Sequence, residues 1–231
     1  MAWKRVLFAL SRSLVAVALA LMLVPGAGAK TRFKVLYNFT GGNDGGAPTN
    51  SALVQDRSGN LYGTAGGGAA GWGVVYKLAP PGKSGKWTET VLHSFGYSKE
   101  YGQNPQGLVM DGQADLYGTT PGGTDGGLLF EVTSAGSWNQ YVLPDGGSWA
   151  ALLRRSGDLY GTGAGGVFEL TSGSGGWKES VIYTFRQGRN GGDEVGSLVS
   201  DAEGNLYGVT RDGGNYPLSA PGRSAAALGM S

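Results

Sequence analysis

The chain has 231 residues, a formal charge of +1, no cysteine and one histidine. Lack of cysteine excludes disulfides, thiol catalysis, thiolate metal sites and a lipid anchor through cysteine, and a single histidine excludes any site built from two. A near-neutral chain without a basic block offers no electrostatic footprint for nucleic acid or anionic lipid.

In chain order, Lys4, Arg5 and Arg12 precede an apolar run of 11 residues, Leu14 to Val24, and Ala27-Gly28-Ala29 supplies a small-x-small site. That is the pattern of an export leader, residues 1–29, cleaved after Ala29. The run falls short of the ~20 apolar residues a bilayer span needs. The expected location is therefore secreted or periplasmic, with no membrane attachment after cleavage. Lys30 to Ser231 then carries 15 of the 18 basic residues against 17 acidic ones, a charge of −2.

Residues 30–214 form a repeat. Leu-Tyr-Gly occurs at Leu61, Leu116, Leu159 and Leu206, so the tyrosines Tyr62, Tyr117, Tyr160 and Tyr207 are spaced by 55, 43 and 47 residues. A period of about 40–50 residues suits four-stranded propeller blades. Each unit opens with a short apolar segment (Ala52 to Val54, Gly107 to Met110, Ala151 to Leu153, Ser197 to Val199). A turn such as Asp56-Arg57-Ser58-Gly59-Asn60 leads to the Leu-Tyr-Gly segment. A third segment follows at Gly73 to Leu78, Leu128 to Val132 and Val167 to Leu170. The fourth starts at a tryptophan: Trp87 to Phe95, Trp138 to Leu143, Trp177 to Phe185.

β-branched and aromatic residues dominate, turn residues separate the segments, and no helical period appears outside the leader. The expectation is an all-β, propeller-like array of four-stranded blades, incomplete, with about three full units plus partial ends. The 45 glycines read as turns rather than linker. Glycine before Asn60, Asp158 and Asn205 suits a hairpin turn with positive φ. The glycine of Leu-Tyr-Gly reads as close approach of another backbone near an axis.

The ends are irregular. Val35 to Thr40 matches the fourth segment, as in Val181 to Phe185, so it is expected as a strand able to complete the C-terminal blade. The last unit has only its first two segments. Residues 215–231, rich in Ala, Ser, Pro and Gly, are expected to be an unstructured tail, and the array reads as one that lost C-terminal blades.

The combined pattern (Gly59 to Thr64, Gly66-Gly67, Gly73 to Leu78, Val91 to Phe95) resembles the GloVer tandem repeat, named after Gloeobacter and Verrucomicrobia, of secreted choice-of-anchor proteins. The resemblance spans about Phe33 to Gly214. It implies an exported, propeller-like protein and carries no established activity. The chain departs from the pattern in its few repeats and in having no recognisable anchor after Gly214.

No catalytic constellation is legible. His93 takes the place filled by Tyr183 and Tyr37 in other copies, which reads as an aromatic-like structural role. Two G-x-G-x-x-G matches, from Gly66 and from Gly161, lie between strands and lack the helix a dinucleotide site needs. Asn43 to Gly46, Asp125 and Asn190 to Asp193 each offer one acid where calcium wants several oxygens, so they read as turns. Asn38-Phe39-Thr40 matches a glycosylation acceptor but sits in an expected strand. Trp87, Trp138 and Trp177 recur at one repeat position, which points to packing between blades. Trp72 and Trp149 do not recur and lie in glycine-rich loops, where an aromatic can stack on a ligand or simply pack.

The expected function is a binding or structural scaffold. It has no cofactor, metal or catalytic residue; its partner is an extracellular polysaccharide or a protein, or a second copy that completes its blades. Trp72 and Trp149 are the ligand-binding candidates. The rivals are a secreted lyase or lactonase using Asp56, Asp111 and Asp201, and a truncated remnant.

Overall fold

The computed structural model describes residues 33–48, 52–97, 102–121, 127–143, 152–163, 166–185 and 196–210. The leader, the tail, Asp125, Trp149 and Asn190 to Asp193 lie outside the described residues. All the strands belong to one unit, Leu36–Ser231. Among the described residues there is no helix.

The protein is an all-β, propeller-like array of antiparallel sheets. The first blade runs β2 (Val54–Gln55), β3 (Leu61–Gly66), β4 (Val74–Ala79) and β5 (Thr88–Ser94). The second runs β6 (Leu108–Met110), β7 (Leu116–Thr120), β8 (Gly127–Val132) and β9 (Trp138–Leu143). The third runs β10 (Leu153–Arg155), β11 (Asp158–Gly163), β12 (Gly166–Gly173) and β13 (Gly176–Thr184). A fourth, partial unit pairs β14 (Val199–Ser200) with β15 (Leu206–Tyr207). Each full blade is a meander, its strands neighbouring in sequence order. A short strand not expected from the sequence, β1 (Gly46–Pro48), pairs with the far end of β3 at Ala65 and Gly66, so β1 and β2 share the innermost position of the first blade.

The inner strands of successive blades lie side by side, β6 next to β2 and β10 next to β6, while the outer strands β9 and β13 also touch. Strand alternation then sends each residue either towards the preceding unit, the leading face, or towards the following one, the trailing face. In β7, Leu116 points back into a cluster with Val75, Phe95 and Phe130, whereas Tyr117 points forward onto Leu152, Leu159 and Phe168. The core is therefore a series of slabs between blades. Full burial of Leu129, Phe130 or Leu159 contributes about 1.5–3 kcal/mol each.

Two sequence expectations are corrected. Residues 33–40 form no strand; Tyr37 and Phe39 instead pack on the leading face of the first blade, beside Tyr76, Leu78 and Trp87. The segment keeps the side-chain contacts of a fourth strand without its ladder, because no third strand lies next to it among the described residues. Nor does it complete the C-terminal unit, whose sheet has two strands among the described residues.

The second correction concerns the repeated glycine. Gly63, Gly118 and Gly161 sit opposite Tyr76, Phe130 and Phe168 in register. A Cβ on Gly118 or Gly161 would run into the ring of its cross-strand partner, and one on Gly63 would lie 2.7 Å from Cζ of Tyr76. An aromatic ring, not another backbone, demands the glycine.

Candidate functional site

The turns between first and second strands in the first, second and fourth units are built alike, and they account for the recurring acids. Asp56 accepts from the backbone N–H of Ser58 and Asn60 (both 2.9 Å), from Asn60 Nδ2 (2.7 Å) and from the Tyr62 hydroxyl (3.0 Å). Asp201 does the same with Gly204, Asn205 and the Tyr207 hydroxyl, the last at 2.7 Å. Asp111 accepts from the N–H of Gln113 and Asp115. Hydrogen bonds from Tyr207 and Asn205 hold the Asp201 carboxyl down at about 2. Burial pushes Asp56 upward, but the bonds from Asn60, Tyr62 and Ser58 together outweigh it and keep its carboxyl below the ordinary range. These carboxylates close their own turns.

Between the turns of the first and second blades lies an open groove of about 390 Å³, whose walls include Asp56, Arg57, Asp111 and Gln113. A second cavity, about 230 Å³, opens on β11–β13 beside Phe168, Glu179 and Thr184. Among the described residues no three His, Cys, Asp or Glu side chains are grouped where they could hold a metal ion.

His93 lies flat on Trp138, with ring centroids 3.5 Å apart and an interplanar angle of 6°, and meets Phe95 edge-on. Burial pushes its pKa down, favouring the neutral ring. Trp177 meets Tyr117 edge-on across the second interface, and Trp87 packs on the leading face of the first blade. These aromatics are structural members of the slabs.

Trp72 is placed differently. It ends the glycine-rich loop from β3 to β4, where Gly67 and Gly73 take positive φ and Gly73 N–H donates to the Gly67 carbonyl (2.7 Å). The Asn104 N–H donates to the Trp72 carbonyl (2.9 Å), tying the loop to the second blade. One side of the indole packs on the slab between the first two blades. Against it lies Tyr97, 5.3 Å away by ring centroid, tilted 41° and 78% exposed. The pair is a half-anchored aromatic platform at a blade junction. Sequence reasoning missed Tyr97, which falls two residues beyond the repeat motif; only the fold brings it to Trp72.

No family model matches the chain, and no curated protein does. Among solved structures, the chain is similar to a structural-genomics target described as a gluconolactonase, at 16% identity and a TM-score of 0.46, covering 70% of this chain and 57% of that one. It is also similar to PorZ, a bacterial surface component of the type-IX secretion system of Porphyromonas gingivalis, at 17% identity and a TM-score of 0.44, covering 70% of this chain and 24% of that one. The chain thus spans little more than half of the first and a quarter of the second. Likeness of this degree assigns no activity.

Proposed function

We propose that this is an exported bacterial β-repeat protein that serves as a binding scaffold, taking an extracellular polysaccharide or a surface protein on the Trp72–Tyr97 platform. The leader-like residues 1–29 and the GloVer-like repeat support the exported setting. The observation that carries the binding reading is an exposed tyrosine laid on a tryptophan fixed at a blade junction. Flat aromatic faces of this kind stack on sugar rings or on apolar side chains of a partner.

The test screens insoluble polysaccharides and surface-protein fractions for retention of the exported protein, whose mass should show that it begins at Lys30. Tyr97→Ala should weaken any retention found by about tenfold, a stacking loss of about 1.4 kcal/mol, with an unchanged melting temperature. Trp72→Ala should weaken binding too, but it also disturbs the slab beneath, so Tyr97 is the discriminating position. Undiminished retention of Tyr97→Ala, or no retention of the unaltered protein, would remove this reading.

A further inference from the structure

The interfaces between units have one recipe with two halves. In the inner half, Val109 and Tyr117, cross-strand partners in the second blade, face Leu152 of the third. In the preceding interface Val54 and Tyr62 face Leu108; in the following one Leu153 and Tyr160 face Leu198. In the outer half, residues at the end of the fourth strand cover the rest: His93 and Phe95 on the second blade, Tyr141 and Leu143 on the third, Tyr183 and Phe185 on the fourth unit.

Each end of the array holds one half. On the leading face of the first blade, Tyr37 and Phe39 supply the outer half: Phe39 meets Tyr76 edge-on at 4.8 Å, as Phe95 meets Phe130 at 5.4 Å. The inner half is open. Leu53 is 44% exposed, whereas its counterparts Leu108, Leu152 and Leu198 are at 4%, 4% and 6%. On the trailing face of the fourth unit the inner-half residues are present and, among the described residues, uncovered. Val199 and Tyr207 are cross-strand partners, like Val109 and Tyr117, and are 61% and 37% exposed. Val209 extends the patch where other units bury a threonine. The Tyr207 hydroxyl is already tied to Asp201, as Tyr62 is to Asp56, so the ring is held ready for a cover.

We infer that the two ends fit one another and that a second copy of this chain docks head to tail, Val199 and Tyr207 of one copy against Leu53 of the next. The occupant is named by the interior interfaces, where this same trailing patch is covered each time by the leading leucine of another unit. Such a contact is heterologous: it closes a ring if its rotation allows and otherwise continues as a chain.

The test is sedimentation velocity on the protein expressed from the full sequence and purified as it accumulates. The weight-average mass should rise with concentration across the micromolar range. Val199→Glu and Leu53→Glu should each hold it at one copy, with unchanged thermal transitions, since both side chains are exposed. Mixing these two variants restores one intact pair of faces, so the mass should reach two copies and stop there. Unaltered protein at one-copy mass throughout, which includes coverage of the patch by its own chain, would overturn the inference. So would variants that still associate alone, or a mixture that stays at one copy.

Discussion

Single residues in this protein answer to cross-strand neighbours. Gly118 is required because the ring of Phe130 lies over its Cα. Gly118→Ala should cost about 1–3 kcal/mol in chemical denaturation, as overpacking does. In a Phe130→Leu background the same change should cost about 1 kcal/mol less, because the obstructing ring is gone. Equal costs in both backgrounds would mean the glycine serves the backbone instead. The turn position held by Gly59, Gly157 and Gly204 at positive φ is occupied by Ala114 in the second blade, at φ 67°. Ala114→Gly should therefore stabilise by about 0.5–1 kcal/mol, contrary to the usual sign of such a change. The turn glycines were legible from sequence because φ is a local property. The partner of the strand glycine was not, because it depends on the register between second and third strands.

Between elements, the tyrosine of each second strand is a tie. Tyr117 donates to Glu131 Oε1 (3.0 Å) and Tyr160 to Glu169 Oε1 (2.7 Å), each to its ladder partner on the third strand. Tyr62 faces Lys77 in the same register and turns to Asp56 instead. The carboxylates favour the neutral phenol. The bond to Glu169, with burial, raises Tyr160 to about 12, and burial with the Asp56 bond raises Tyr62 to about 12. Their folded values exceed the ordinary 10.0, so the stability they contribute is complete below about pH 10 and is lost as the pH climbs towards 12. Phenolate absorbance on alkaline titration should show a late class of tyrosines that Tyr160→Phe diminishes; a single class near the ordinary value would contradict the ties. The sequence repeats Leu-Tyr-Gly but does not say that the acid of the third strand is the hydroxyl's acceptor, since strand pairing decides it.

Over the whole molecule, stability is distributed as in a linear array, each unit held by its neighbours. The slabs around Leu129 and Phe130 are enclosed from both sides, whereas among the described residues β14–β15 is a two-stranded sheet with an uncovered face. In the Leu53→Glu variant, held at one copy, amide hydrogen exchange should therefore be fastest at Leu206 and Tyr207, by more than about a hundredfold over β8 and β12, as local openings are cheapest where few apolar contacts cover the backbone. Uniform protection in that variant would mean that the end face is covered by its own chain. The sequence by itself determined the all-β class, the unit boundaries and the four-strand order, because turn chemistry and period-2 patterning act over a few residues. It also marked Tyr37 and Phe39 as residues of fourth-segment type, though as a strand for the C-terminal blade. Only the tertiary structure decided that this segment packs without a ladder and that Tyr97 joins Trp72. These depend on which unit lies next to which, and contacts across dozens of residues leave no local mark in the chain.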